Sequence, residues 1–271
     1  MKRSKPSPAA AYRAARSVIA AMAMASMLMM SPAPVAAVVG GAPAADDAGH
    51  AVVMILGSYG TVCTATAIGR DLLLTAAHCV QPGADYKLMG NKPGDTPLLK
   101  DIARIERDPQ FELKRLFAHL ATADVALLKL AEPLPERIPA ARLAGDAASV
   151  AIGDTLTVAG YGVTKRGDDR LDGIPREATL AVTGHPSSLE IRLFDPATKG
   201  LRPGLGACTG DSGAPVFRDG NGGPVIIGLV SWSTGPNLTG GCGGLTGITP
   251  LMRYRAWIRD TARALGSPLL P

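Results

Sequence analysis

From Val38 onward, apolar residues come in short runs separated by Gly, Pro, Asn and Asp. Ala51–Leu56, Ala65–Ile68, Leu72–Thr75, Val125–Leu130, Thr155–Ala159 and Pro224–Trp232 are each of strand length. Turn-forming residues recur between them, which predicts an all-β domain. The glycine-rich segment Phe217-Arg218-Asp219-Gly220-Asn221-Gly222-Gly223, followed by Val225-Ile226-Ile227, predicts a hairpin. Only the end of the chain changes period. Leu251, Tyr254, Ile258, Ala262 and Leu265 share one face at helical spacing, with Arg253, Arg255 and Arg259 largely off it, so a helix is expected over about 251–265. No fixed-period repeat or low-complexity linker interrupts the pattern, and Lys165–Arg170 reads as a solvated charged loop.

Before Val38 the pattern differs. Lys2, Arg3, Lys5, Arg13 and Arg16 precede an apolar run from Val18 to Met30 that is short for a bilayer span. Small residues follow in Ser31-Pro32-Ala33-Pro34-Val35-Ala36-Ala37. This is the order of a secretory signal, expected over 1–37 with cleavage before Val38; the alternatives are a cut after Ala25, leaving a short pro-segment, and an uncleaved anchor. No later stretch is long and apolar enough to span a membrane. The signal also explains the net charge of +5, because no acid lies in its 37 residues. The 23 basic residues that remain equal the 23 acidic ones, which removes any electrostatic footprint for nucleic acid or an anionic membrane. With 271 residues and 46% apolar content, the chain can bury a core of one large domain or two small ones.

Cys63, Cys79, Cys208 and Cys242 form an even set in a chain expected to be exported, and read as two disulfides with three possible pairings. There is no CxxC and no zinc-type His/Cys spacing, so neither a metal nor a cofactor is expected. His50, His119 and His185 lie in no motif and read as surface or structural residues. Asn237-Leu238-Thr239 is a glycosylation sequon that carries little weight alone.

Chemistry concentrates in Cys208-Thr209-Gly210-Asp211-Ser212-Gly213-Ala214-Pro215. A serine hydroxyl is a poor nucleophile unless a base takes its proton and N–H groups hold the resulting oxyanion. With no Cβ on Gly210, its N–H and that of Ser212 can converge on one oxygen. A base and an orienting acid are then required. His78 closes the apolar run Leu72-Leu73-Leu74-Thr75-Ala76-Ala77-His78-Cys79, and Asp124 opens Val125–Leu130. Alone, the histidine reads as structural and the aspartate as a turn former. Together, Asp124 can fix the tautomer that leaves the second ring nitrogen of His78 free for Ser212.

These three residues, in the order His, Asp, Ser, resemble the chymotrypsin/trypsin family of serine peptidases. The resemblance rests on Thr75-Ala76-Ala77-His78-Cys79, Asp124-Val125-Ala126-Leu127-Leu128, Gly210-Asp211-Ser212-Gly213 and Ser231-Trp232, with Gly160-Tyr161-Gly162 as a further landmark. It spans Val38 to the terminal helix. The α/β-hydrolase elbow is a poorer fit, since that motif needs Gly at Ala214 and runs Ser, acid, His.

The resemblance implies two six-stranded antiparallel β-barrels, the first over about 38–145 and the second over about 146–250, followed by the C-terminal helix. The active site would lie between the barrels, with the oxyanion held by Gly210 and Ser212. It implies the pairings Cys63–Cys79 and Cys208–Cys242, fewer bridges than in many animal relatives, and the expected signal peptide suits a bacterial member. Protein or peptide substrates follow, a proteinaceous inhibitor is admissible, and the chain would act as a monomer outside the membrane. Val38-Val39-Gly40-Gly41 resembles a mature N-terminus whose ammonium would pair with Asp211. Gly206, Ala207, Ser233 and Gly247 would line the primary specificity pocket, with Ser231 and Trp232 on the edge that binds substrate backbone. None is charged, which implies an apolar or aromatic residue before the scissile bond. Ala214 departs from the family's usual glycine. A catalytically inactive binding protein on the same fold is the alternative, although no triad residue is lost.

Overall fold

The computed structural model describes residues 38–44, 47–90, 98–118, 120–145, 148–168, 171, 173–220 and 222–269. The expected signal segment and His119 lie outside them. Two closed β-barrels account for most of the chain. The first comprises β2 (Val52–Gly57), β3 (Val62–Ala67), β4 (Leu72–Thr75), β5 (Tyr86–Gly90), β6 (Leu98–Arg107) and β7 (Ala126–Leu130), in the order β2-β3-β4-β7-β6-β5. The second comprises β9 (Thr155–Gly160), β10 (Arg176–Ser187), β11 (Glu190–Phe194), β12 (Pro215–Arg218), β13 (Val225–Ser233) and β14 (Leu245–Pro250). It closes because β9 pairs with both β10 and β12. All pairings around the two barrels are antiparallel, and β12–β13 is the expected hairpin.

Two short strands cross the expected division of the chain. β1 (Ala42–Pro43) pairs with β10, and β8 (Arg142–Leu143) runs parallel to β13. The residues just after Val38 and those near 142 therefore attach to the second barrel, although both fall in the segment expected to form the first. Backbone hydrogen bonding at an open sheet edge decides this, and it leaves no mark in the apolar pattern.

The strands with unbroken apolar runs are buried on both faces, which explains why they do not alternate. Along β4, Leu73 points into the first barrel with Val53, Ile55, Leu88 and Leu128. Leu72 and Leu74 point outward, into a seam shared with Ala159, Phe217, Ile226 and Leu229 of the second barrel. A third cluster, including Leu156, Val158, Leu180, Leu193 and Val216, fills the second barrel. Burying a leucine of the seam contributes about 1.5–3 kcal/mol, so the barrels are held together by apolar contact as well as by chain connection.

The terminal helix spans Arg255–Ala264, after a single 3-10 turn at Leu251–Arg253. All five residues of the expected apolar face are buried, and they complete the seam. Beyond the helix, Ser267 Oγ donates to Asp71 Oδ1 at 2.5 Å and accepts from Lys129 Nζ at 2.6 Å, which ties the end of the chain to the first barrel.

Candidate active site

His78 sits in the 3-10 turn Ala77–Cys79 at the end of β4, next to the Cys63–Cys79 disulfide. Its Nδ1 is 2.7 Å from Asp124 Oδ2, and its backbone N–H donates to Asp124 Oδ1 at 2.9 Å. A third donor, Ser231 Oγ from β13, reaches Asp124 Oδ2 at 2.5 Å. Asp124 is fully buried and acceptor-only when ionised, so Nδ1 carries the proton and Nε2 is left as the acceptor. Burial alone would raise the Asp124 pKa, but the charge of His78 and the bonds from His78 and Ser231 hold it below the ordinary 3.8. Burial would likewise lower the His78 pKa; the charge and hydrogen bond of Asp124 outweigh it and raise the value above 6.5.

The serine loop belongs to the second barrel. Within it, Asp211 N–H bonds Cys208 O at 3.0 Å and Gly213 N–H bonds Val230 O at 2.7 Å. The N–H groups of Gly210 and Ser212 have no acceptor among the described residues. The Thr209 carbonyl accepts from Val163 N–H at 2.8 Å, and a planar trans peptide then sends the Gly210 N–H the opposite way. Gly210 holds φ at 95°, a region where a side chain would be strained. Gly213, with φ at 78°, is needed for a second reason: a Cβ there would strike Thr75 Oγ1 and come within 2.5 Å of Thr64 O. That contact presses the loop against the strand leading to His78. Cys79 Sγ lies 3.5 Å from Ser212 O and 3.9 Å from His78 Nε2, so the sulfur bridges the two halves of the site. Ser212 Oγ itself makes no hydrogen bond among the described residues; such contacts are commonly long before substrate binds.

Thr64 joins the halves and carried no signal in the sequence. Fully buried on β3, its hydroxyl donates to Gly210 O at 2.8 Å and accepts from Tyr161 N–H at 3.0 Å. Its polarity is also why the apolar run Ala65–Ile68 understated β3. Ser231 had been placed on the backbone-binding edge; its bond to Asp124 is a further role that no local pattern reveals.

Asp211 is fully buried and accepts from Gly162 N–H and Cys208 N–H, both at 2.8 Å. Burial, the largest cause, outweighs those bonds and pushes its pKa up to about 7. A Cβ on Gly162 would collide with this carboxylate, which accounts for the Gly160-Tyr161-Gly162 pattern. Val38 is also fully buried, and Val39 N–H bonds Gly206 O at 3.0 Å beside the serine loop. Ala214 fits without exposure, its methyl group facing Gly160.

Of the remaining residues assigned from the sequence, Ser231 and Trp232 line the inter-barrel cleft, whereas Gly206, Ala207 and Gly247 are buried and, like Ser233, lie outside its lining. Gly206 and Ala207 precede Cys208, which is bonded to Cys242, and Ala207 N–H donates to buried Thr246 Oγ1 at 3.0 Å. A Cβ on Gly247 would collide with the Trp232 ring, and Arg192, paired with Glu190, lies 5.7 Å from the centroid of that ring. β12 leaves β13 after the Pro215–Leu229 pair, and the last bonds along that edge reach Val230. Ser231–Ser233 therefore has β14 on one side and an open edge on the other among the described strands. A cleft runs beside it, lined by Leu116, Leu120 and Thr122 of the first barrel and by Leu189, Ser231 and Trp232 of the second. Cys63, His78 and Cys79 bring three ligand-type atoms within 4.8 Å, but the two sulfurs are joined to each other and are not available as thiolates.

Two barrels with this cleft between them define a chymotrypsin-like fold. The model of the family described as Trypsin matches residues 38–258, and the chain belongs to that family. Among similar proteins, snake venom serine protease rhinocerase 4 of Bitis rhinoceros is 25% identical over 82% of this chain and 86% of its own length. An alpha-fibrinogenase-like protein of Daboia siamensis is also 25% identical, with the same coverage. Human heparin binding protein shares the fold, with a TM-score of 0.66 at 24% identity, over 86% of this chain and all of that one. No described helix is long and apolar enough to cross a membrane.

Proposed function

We propose that this chain is an exported serine endopeptidase in which Ser212 is the nucleophile, His78 the general base and Asp124 the orienting acid. The observation that carries the reading is the pattern of backbone bonding around Ser212. Asp211 and Gly213 have partners for their N–H groups, whereas Gly210 and Ser212, the two needed for an oxyanion, do not. Ser212 Oγ attacks the scissile carbonyl carbon as its proton passes to His78 Nε2. The tetrahedral oxygen is held by the two N–H groups. His78 then returns the proton to the leaving nitrogen as the C–N bond breaks, and water repeats the sequence on the acyl-enzyme. Ser212→Ala and His78→Ala are each expected to lower turnover of a peptide substrate by about 10⁶-fold; near-normal turnover in either sinks the assignment.

Gly206, Ala207, Ser233 and Gly247 carry no charge, which supports an apolar or aromatic residue before the scissile bond. A peptide library cleaved after Arg or Lys contradicts this. The open edge at Ser231–Ser233 suits an extended peptide added as a strand. Asp211 supports activation by a new N-terminus at Val38. It is buried with no cationic partner among the described residues, and an ammonium would compensate it. Val38 also holds φ at 48°, a conformation that β-branched residues avoid and that cleavage before it would release. The signal-peptidase site expected after Ala37 would then make export itself the activating cut. An N-terminus elsewhere in the secreted protein rules this out.

A binding protein without catalysis is the second reading, favoured by the unbonded Ser212 hydroxyl and by a structural relative named for binding heparin. The balanced charge of the chain beyond residue 37 speaks against a polyanion as its ligand.

A further inference from the structure

The loop that follows the open edge is closely hydrogen-bonded, exposed and strained. β13 ends at Ser233, and Thr234 is tied to β14 by Thr234 N–H to Leu245 O and Gly244 N–H to Thr234 O, both 2.9 Å. Gly235 N–H then bonds Thr239 O at 2.7 Å, closing a tight turn over Pro236, Asn237 and Leu238. Asn237 anchors that turn to the neighbouring loop, through its N–H to Gly200 O at 2.8 Å and its Nδ2 to Leu201 O at 3.2 Å. Two leucines stand at this junction with their side chains in water: Leu201 is 64% exposed and Leu238 70%. Asn237 and Leu238 both lie in the left-handed region, with φ of 52° and 62°. Asparagine tolerates that conformation, but a leucine there is strained, and glycine would relieve it. A strained backbone that presents an apolar side chain to solvent gains nothing for the fold, and such strain collects at binding sites.

The position of the turn says what it meets. A peptide added to the open edge, with its scissile carbonyl at Ser212, pairs with Ser231 and Ser233 through alternate residues, so its third residue before the cut lies at Ser233. At about 3.3 Å per residue, two more residues carry it to the turn closed by Gly235 and Thr239. Lys199 and Arg202, both exposed, bracket Leu201 and add positive charge.

We propose that Leu201 and Leu238 form an outlying subsite for the protein substrate, which takes an apolar side chain at the fifth residue before the scissile bond and an acidic one at the sixth. The proposal rests on the peptidase reading, and its test separates the two. With the chain starting at Val38, Ala-Ala-Pro-Phe p-nitroanilide reports catalysis alone, because it ends before the turn. Glu-Leu-Ala-Ala-Pro-Phe p-nitroanilide reaches it. Expected is a higher kcat/KM for the long peptide, with that advantage reduced about tenfold in Leu238→Gly while the short peptide is turned over as before. Because glycine accepts φ of 62°, the variant should melt no lower than the parent, so the loss cannot be unfolding. Independently of turnover, calorimetry on the Ser212→Ala chain measures binding of the two peptides. Tighter binding of the long peptide that Leu238→Gly abolishes supports the subsite. Equal binding of both peptides, or an advantage that survives Leu238→Gly, overturns it.

Discussion

Asp124 and Asp211 are both fully buried aspartates at the two ends of the same site, yet their acidities move in opposite directions. Asp124 receives a hydroxyl, a backbone N–H and an imidazole, and the imidazole can carry charge; its pKa is lowered. Asp211 receives two backbone N–H groups and, among the described residues, no cation, and its pKa rises to about 7. Hydrogen bonds alone therefore do not offset the burial of a carboxylate here, whereas bonds plus a chargeable partner do. In the first-barrel half, His78 and Asp124 are already bonded to each other. In the second-barrel half, the Gly210 and Ser212 N–H groups have no acceptor, and Asp211 has no cationic partner, among the described residues.

The comparison is broken most severely at Asp124. Asp124→Asn keeps the shape but favours the wrong His78 tautomer, and kcat is expected to fall by about 10⁴-fold with little change in KM. At the other end, Asp211 makes the uncut chain sensitive to pH. The folded pKa of about 7 lies above the ordinary 3.8, so the folded state holds its proton more tightly than the unfolded one. The associated stability is fully present below about pH 4 and is lost as pH rises through about 7, roughly 4 kcal/mol in all. Denaturant titrations of the uncut Ser212→Ala chain at pH 5 and pH 8 should show about 3 kcal/mol of that decline. Asp211→Asn should flatten it, as should a chain starting at Val38.

Two smaller effects sharpen the picture. Thr64→Val removes a hydroxyl bonded to both Gly210 and Tyr161 and should destabilise the fold by about 2 kcal/mol, seen as a lower denaturation midpoint. Ser231→Ala removes one of three donors to Asp124 and should lower kcat about tenfold, moving the acid limb of the pH–rate profile upward. That limb reports protonation of His78, whose raised pKa places it above the ordinary 6.5.

What could be read in advance follows the range of the interactions involved. Leu72–Thr75 was legible to the residue because both faces of β4 are buried and the run is uniformly apolar. The terminal helix was legible because its period changes. β6 and β10 were not singled out, since mixed polar and apolar positions give partly exposed strands no continuous run; β11 was missed because Glu190 and Arg192 break its short apolar run even though most of it is buried. At the site, His78, Asp124 and Ser212 stood out through their flanking residues. Thr64, 146 residues from Gly210, and the bond from Ser231 across 107 residues to Asp124 arise only when the barrels meet. The pairing of β1 with β10 is of the same kind.

The most direct test of the account is to express the full chain in an exporting host, treat the recovered protein with a fluorophosphonate, and map both the adduct and the N-terminus by mass spectrometry. A single adduct on Ser212, in chains beginning at Val38, is the expected result. Chains that begin at Val38 and remain unlabelled, or that carry the adduct on another residue, would contradict it.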